Sequence, residues 1–327
     1  MIDLDEDDAL ESPAAPEHEV RSAVVQGEWH GCRLDKVLVA MAPEFSRSHL
    51  QGLIDQGLVF LDGVSALLAS RKVKAGQSVQ VELRPTAESL AFRAEHLELQ
   101  VVFEDEHVLV VDKPVGLVVH PAPGHWSGTL LNGLLAHHPV SVQLPRAGIV
   151  HRLDKDTSGL MMVGKTLQAV TALSRAIASR EVLRLYMALV HGVMPSGFST
   201  VDARVRRDPA SRTRMAVHPA GRSARTDVQT LASAHGFSAV RCRLHTGRTH
   251  QIRVHLAHTG HPLVGDRLYG GTVALGLERQ ALHAWKLAFD HPVHGEPLEF
   301  VRPPPDDLAK AWQIVASGTE PGDSSTS

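Results

Sequence analysis

The sequence predicts a two-domain α+β protein: a small N-terminal unit of two helices and a hairpin, then a larger domain built on a mixed, mainly antiparallel sheet. Three observations predict it. The chain of 327 residues, 43% hydrophobic, has room for one large core and one small one. Between Val24 and Leu83 helix-period apolar residues give way to alternating ones. Beyond about residue 96, short β-rich runs recur with few helical segments between them, and no internal repeat is present.

In the small unit, Arg33-Leu34-Asp35-Lys36-Val37-Leu38 opens an amphipathic helix. Ser46 is placed to cap a second, which runs through Leu50, Leu53 and Ile54 to a stop at Gly57. Leu58-Val59-Phe60-Leu61 then meets Asp62-Gly63, a dipeptide suited to the positive φ angles of a hairpin turn. Lys72-Val73-Lys74-Ala75-Gly76-Gln77 leads into the alternating Val79 and Val81 of another strand. A linker from Pro85 to Glu95 separates this unit, residues 21–84, from the larger one, residues 96–316.

The larger unit begins with strands at Val101-Val102-Phe103 and Val108-Leu109-Val110-Val111, a helix from Thr129 to His137 and a strand from Leu160 to Val163. A helix from Leu167 to Arg180 carries Val170, Leu173 and Ile177 on one face. The run Leu183 to Val190 alternates strictly. It sets Leu183, Leu185, Met187 and Leu189 on one side and Arg184, Tyr186, Ala188 and Val190 on the other. Phe237 to Leu244 is a further strand, and Thr249 is placed to cap a helix that contains Ile252 and Leu256 and stops at Gly260.

Charge and composition exclude several classes. No apolar run approaches the roughly 20 residues a membrane-spanning helix needs, and the first residues are acidic where a signal peptide is basic, so a soluble cytoplasmic protein is expected. Cys32 and Cys242 are too few for a disulfide framework or a thiolate metal site and read as small core residues. Residues 1–20 hold eight acids and no Lys or Arg. Of the net charge of −3, therefore, −8 sits in that leader and +5 in the rest. The leader is expected to be a disordered acidic tail, and residues 317–327 a second frayed tail. The 21 histidines include a cluster of His245, His250, His255, His258 and His261. It has no His-Glu-x-x-His pair and no accompanying thiolates, so no metal is expected. Neither a Walker loop nor a dinucleotide fingerprint is present, and no cofactor is expected.

The most informative stretch is Gly148-Ile149-Val150-His151-Arg152-Leu153-Asp154-Lys155-Asp156-Thr157-Ser158-Gly159-Leu160. β-Branched residues lead into a charged turn that ends in Ser-Gly before a new strand, an arrangement that mounts a carboxylate on a loop between rigid elements. Arg33-Leu34-Asp35-Lys36 repeats Arg152-Leu153-Asp154-Lys155 letter for letter, so the tetrapeptide alone discriminates nothing. His151 and Thr157-Ser158-Gly159 do. Between Arg204 and Arg225, seven arginines, Arg212 and Arg214 among them, face only Asp208, as expected of a phosphate track.

With those flanks the chain resembles the RluA family of pseudouridine synthases, and within it the RluD-like enzymes of large-subunit ribosomal RNA. The resemblance extends through Asp112-Lys113-Pro114 with Gly116, Val119-His120-Pro121, Gly128-Thr129-Leu130-Leu131-Asn132 and Arg184-Leu185-Tyr186. It continues through Leu244-His245-Thr246-Gly247-Arg248-Thr249-His250-Gln251-Ile252-Arg253-Val254-His255, Gly265-Asp266, Tyr269-Gly270-Gly271 and Leu282-His283-Ala284. It implies a pseudouridine synthase catalytic fold. The segment before it resembles the alpha-L RNA-binding fold, which makes Arg33, Arg47, His49, Lys72 and Lys74 candidate RNA contacts, although Ser65 to Ser70 is more apolar than that family's usual approach to the basic hairpin.

The resemblance implies isomerisation of uridine in structured RNA: the bond from ribose to a uracil nitrogen breaks, the base turns, and it rejoins the sugar through carbon. Asp154 is the implied catalytic carboxylate, either attacking covalently or removing a sugar proton. Arg253 is its implied cationic partner, and Tyr186 the tyrosine that stacks on the base and whose hydroxyl takes part in proton transfer at carbon. A base inside folded RNA must be flipped out, and Arg152 is implied to brace the vacated stack, with His151, Lys155 and Arg248 at neighbouring phosphates. The expected partner is large-subunit ribosomal RNA or its assembly intermediate, bound by a monomer. Transfer RNA as the target, or a non-catalytic assembly factor, are the alternatives. A nucleoside glycosidase would need a second-acid logic beyond Asp156 and no RNA-binding appendage.

Overall fold

The computed structural model describes residues 19–84, 91–122, 124–211 and 213–318. Most of each expected tail, most of the linker and Arg212 lie outside the described residues. The chain divides into two compact units, one ending at Leu90 and one beginning at Ala91.

The first unit comprises strand β1 (Glu19–Val24), helices α1 (Leu34–Met41) and α2 (Arg47–Asp55), and strands β2 (Val59–Leu61), β3 (Val64–Ser65) and β4 (Ser78–Leu83), ordered β1-β4-β2-β3 in one sheet. The Ser46 hydroxyl accepts the His49 amide and caps α2 as expected. Asp62 and Gly63 both take positive φ, 50° and 78°, and close the β2–β3 hairpin. Leu34, Val37, Leu38, Leu50, Leu53, Ile54, Val79 and Val81 form the core. Cys32 is only half-buried at its margin, whereas Cys242 of the second unit is fully buried. Strand β1 begins inside the expected acidic tail, with Glu19 opposite Leu83. Backbone pairing at a sheet edge holds it and none of its residues is buried, so it carries no apolar alternation.

The second unit is mixed α+β. It contains β5 (Val101–Glu104), β6 (Val108–Lys113), α3 (Leu130–His137), β7 (Ser158–Gly164), α4 (Leu167–Ala178), β8 (Leu183–His191), β9 (Gly197–Asp202), β10 (Val205–Arg207) and β11 (Met215–Val217). After these come β12 (Arg225–Ala234), β13 (Phe237–Leu244), α5 (Gln251–His258), β14 (Leu282–Asp290), β15 (Pro297–Val301) and α6 (Asp306–Ser317). The main sheet runs β5-β6-β7-β14-β8-β13-β12-β9, with β15 added to β14. Among the described residues only β7 and β14 pair in parallel. Strands β10 and β11 form a separate hairpin within the arginine-rich stretch.

One face of the sheet packs on α3 and α5, joining Leu130, Leu134, Tyr186, Ala188, Val190, Ile252 and Leu256 in one core. The Arg184–Tyr186 side of β8 is therefore its inward side. Leu189, on the opposite side of the strand, packs with Leu308, Ala311 and Val315 of α6. Helix α6 ends at Ser317, the first residue of the expected second tail.

The cap expected at Thr249 is not formed. His250 occupies that position with φ 54°, a left-handed conformation for a non-glycine residue, and α5 starts at Gln251. The cause is the Gln251 side chain, whose carbonyl oxygen accepts from the Thr246 hydroxyl (2.7 Å) and the Arg248 amide (3.1 Å). The loop is drawn back over the start of the helix.

Candidate active site

Asp154 lies in the turn between Ile149 and β7, closed by a bond from the Thr157 amide to the Asp154 carbonyl. The turn is anchored on both sides. Gly159, with φ 114°, lies against the β14 backbone, where a Cβ would come within 2.3 Å of the Ala284 carbonyl oxygen, so no other residue fits. Lys113, at the end of β6 and 1% exposed, gives its ammonium to the carbonyls of Pro114, Leu117 and Lys155 at 2.8–2.9 Å. Burial lowers its pKa to about 8 against the opposing pull of Asp156 and Asp154. Behind the turn, Ser158 hydrogen-bonds His283, whose Nε2 donates to the Arg302 carbonyl.

The carboxylate meets its counter-ion across 99 positions of sequence. Arg253, on α5, donates from Nη1 to Asp154 Oδ2 at 3.0 Å, and from Nε and Nη2 to the two oxygens of Asp266 at 2.7 and 2.9 Å. Asp266 is 2% exposed and Arg253 7%. Burial opposes the arginine's charge, but the bonds to Asp266 and the pull of Asp154 outweigh it, and its pKa is raised. The other oxygen, Asp154 Oδ1, is 3.9 Å from His250 Nε2. Tyr269 supports both partners. Its ring lies 5.1 Å from the Arg253 guanidinium carbon, and its hydroxyl accepts the Met215 amide and bonds His250 Nδ1, each at 2.8 Å.

Above Asp154 opens a cleft of about 510 Å³ lined by Tyr186, Leu244, His151, Arg152, Arg184 and Arg248, among others. Tyr186 is 4% exposed, and burial pushes its phenol up to about 12, so it is neutral at physiological pH. The site thus presents a carboxylate with one oxygen held by Arg253 and the other free of hydrogen bonds among the described residues, a neutral phenol and an apolar ledge, and it can hold a planar base while acting on the sugar bearing it.

The sequence-predicted residues divide into groups. Asp154, Tyr186, Arg253, Arg152 and Arg248 converge on the cleft or the smaller depression beside it. Lys155 is exposed, with Nζ 3.3 Å from His125 Nε2. His151 is half-buried and lines the cleft, and its Nε2 accepts the Met162 amide. Arg214 is exposed, 5.7 Å from the Tyr269 ring centre. In the first unit Lys72 and Lys74 are exposed, while Arg33 and Arg47 both bind the buried Asp35 carboxylate, at 3.1 and 2.7 Å. Four of the five clustered histidines hold separate protein partners: Asp227 for His245, Tyr269 for His250, Thr226 for His255 and the His191 carbonyl for His261. Among the described residues no group of three or more His, Cys, Asp or Glu could hold a metal, and no helix is long and apolar enough to cross a membrane. Sequence reasoning assigned no role to Asp266, Tyr269, Lys113 or Asp35. Asp35 stands in the duplicated tetrapeptide and the other three in the motifs that carry the family resemblance, and the roles of those three depend on contacts that only the fold creates.

Residues 107–258 match the RNA pseudouridylate synthase family, and residues 32–79 the S4 domain. The chain is 47% identical to the ribosomal large subunit pseudouridine synthase D of Nitrosomonas europaea, over 87% of this chain and 85% of that one. It is 46% identical to the protein of the same name from Xanthomonas campestris pv. campestris, over 90% and 92% of the two chains. Among solved structures, human RNA pseudouridylate synthase domain containing 1 aligns with a TM-score of 0.52 at 27% identity, covering 70% of this chain and 90% of that one.

Proposed function

The chain belongs to the RluA family of RNA pseudouridine synthases, with RluD-like relatives, and from that premise we propose that Asp154 catalyses the isomerisation of uridines in large-subunit ribosomal RNA. The observation that carries this reading is the buried Asp266–Arg253–Asp154 chain beneath a cleft walled by Tyr186. Asp266 fixes the guanidinium, and the guanidinium fixes one oxygen of Asp154. Oδ1 is left to meet the ribose.

In the reaction the C1′–N1 bond breaks, the detached uracil turns, and C5 bonds to C1′. The proton leaving C5 is matched by the one gained at N1, so the change is redox-neutral. Tyr186, neutral at pH 7, stacks on the base as it turns. Target uridines reach Asp154 only when flipped from their stack, and Arg152, exposed beside the carboxylate, occupies the gap they leave. The S4 domain adds Lys72, Lys74, Arg33 and Arg47 as phosphate contacts, and the arginine-rich stretch of the sequence adds Arg212 and Arg214. We place the enzyme in the cytoplasm as a monomer, without a cofactor.

The test is direct. Purified protein incubated with large-subunit ribosomal RNA transcripts should produce pseudouridine, read by mass spectrometry of nuclease digests, at sites that lack it in ribosomes from cells without this gene. Conversion of transfer RNA alone would move the substrate assignment, and conversion of no RNA would remove the catalytic one.

A further inference from the structure

The two buried arginines of the cleft region are treated differently. Arg253 is surrounded by two carboxylates, whereas the side chain of Arg184 on β8, 5% exposed, makes no hydrogen bond or ion pair with any described residue, and its Nε is buried with no acceptor. An unpaired charge in such a place is costly and calls for a partner from outside the chain.

Its surroundings indicate which. Arg184 opens into the cleft that holds Asp154 and Tyr186, where Arg146, Arg152, Arg180 and Arg248 are also displayed and Asp154 is the only carboxylate among the described lining residues. His151 adds a donor: its Nε2 accepts the Met162 amide, so Nδ1 carries the proton, and that atom is buried without a partner. Burial, and then the Arg184 charge, lower the His151 pKa to about 3, so the ring is a neutral N–H donor at physiological pH. Gly247 leaves the approach open, since a Cβ there would come to 3.0 Å from Arg184 Nη1.

We propose that Arg184 and His151 form a seat for one backbone phosphate of the RNA next to the nucleotide held at Asp154. The proposal rests on the reading of the cleft as the RNA site and adds the residues that set the register of the strand within it. A guanidinium fork suits a phosphate's paired oxygens, and the imidazole N–H supplies a third bond. Arg184 stands two residues from Tyr186 on the same side of β8, roughly 6–7 Å along the strand. A phosphate fixed there positions the base against the phenol.

The experiment uses a stem-loop of the large-subunit transcript that the wild type binds, made with a single neutral methylphosphonate at each position in turn and a 2′-O-methyl group on the preceding ribose to protect the linkage. Equilibrium binding and single-turnover conversion are measured for wild type, Arg184→Gln and Arg184→Lys. One methylphosphonate position should weaken wild-type binding by roughly 10- to 100-fold. Arg184→Gln should lose a similar factor on unmodified RNA and lose nothing further at that position, and Arg184→Lys should recover part of both the affinity and the sensitivity. The unliganded Arg184→Gln protein should melt at or above the wild-type temperature, since an unpaired buried charge has gone. Undiminished sensitivity of Arg184→Gln at every position, or a lower melting temperature with no change in RNA affinity, would overturn the proposal. If the wild type binds but never makes pseudouridine, the catalytic reading falls, and the binding series still decides whether the phosphate seat exists.

Discussion

Replacing Asp266 by asparagine separates the support of the site from its chemistry. Asp266 accepts two charge-assisted bonds from Arg253, at 2.7 and 2.9 Å, and is not itself in hydrogen-bond contact with Asp154. An amide keeps one acceptor but turns N–H toward N–H at the other. The loss of one such bond costs about 1.5–3 kcal/mol of stability. The guanidinium, no longer clamped on that edge, then shifts against Asp154, and a misplacement of about 1 Å in a positioned group costs on the order of 100-fold in rate. Single-turnover conversion of a substrate RNA over a range of enzyme concentrations gives the maximal rate and the half-saturating concentration. The maximal rate should fall about 10- to 100-fold while half-saturation moves by no more than about threefold, because Asp266 is buried beneath the RNA-facing surface. Urea unfolding should show the stability loss alongside. A maximal rate close to wild type despite that loss would make Asp266 a structural residue only and refute the role assigned to the chain of charges.

Other predictions follow from the same contacts. Burial raises the Tyr186 pKa to about 12, so the neutral phenol is favoured by folding; its contribution is complete below the unfolded value near 10 and is lost between pH 10 and 12. Wild type should therefore lose about 1–3 kcal/mol more than Tyr186→Phe across that window in urea unfolding, and parallel curves would contradict it. Lys113→Met fills a similar volume but leaves the Pro114 and Leu117 carbonyls without a donor and takes one of two donors from that of Lys155, in the turn that carries Asp154, so it should destabilise the protein by more than about 2 kcal/mol and slow conversion. Hydrogen bonds from Arg33, then Arg47 and Gln51, hold the Asp35 carboxyl well below its ordinary range, so its contribution is present above about pH 4 and lost on acidification. Asp35→Asn should speed amide exchange through Leu34–Ile54 and weaken RNA binding by freeing two arginines, with the rate at saturating RNA unchanged.

How far the sequence disclosed this site is best seen in its duplicated tetrapeptide. In the first copy Arg33 binds Asp35 two residues away, a local pairing that buries the acid and ties the helix start. In the second, Arg152 stays exposed and the partner of Asp154 comes from α5, 99 residues on. Identical letters diverge because the flanks place one at a helix start and the other in a turn between strands. The helix cap at Ser46, the helix that ends at His137, the hairpin at Asp62-Gly63 and the alternation through Tyr186 were legible because each depends on neighbours in sequence. Strand β1, the left-handed His250 and the buried clamp of Asp266 were not. Edge pairing, a side chain reaching back over a helix start and a long-range ion pair leave no periodic trace.

The claim on which the account turns is that the Asp154 carboxylate does the chemistry. Asp154→Asn keeps the size of the side chain and one acceptor for Arg253 while removing the charge. Pseudouridine formation in a substrate transcript, measured by mass spectrometry under single-turnover conditions, should fall below detection while RNA affinity stays within about threefold of wild type. Conversion by this variant at a rate near that of the wild type would place the reaction on another residue.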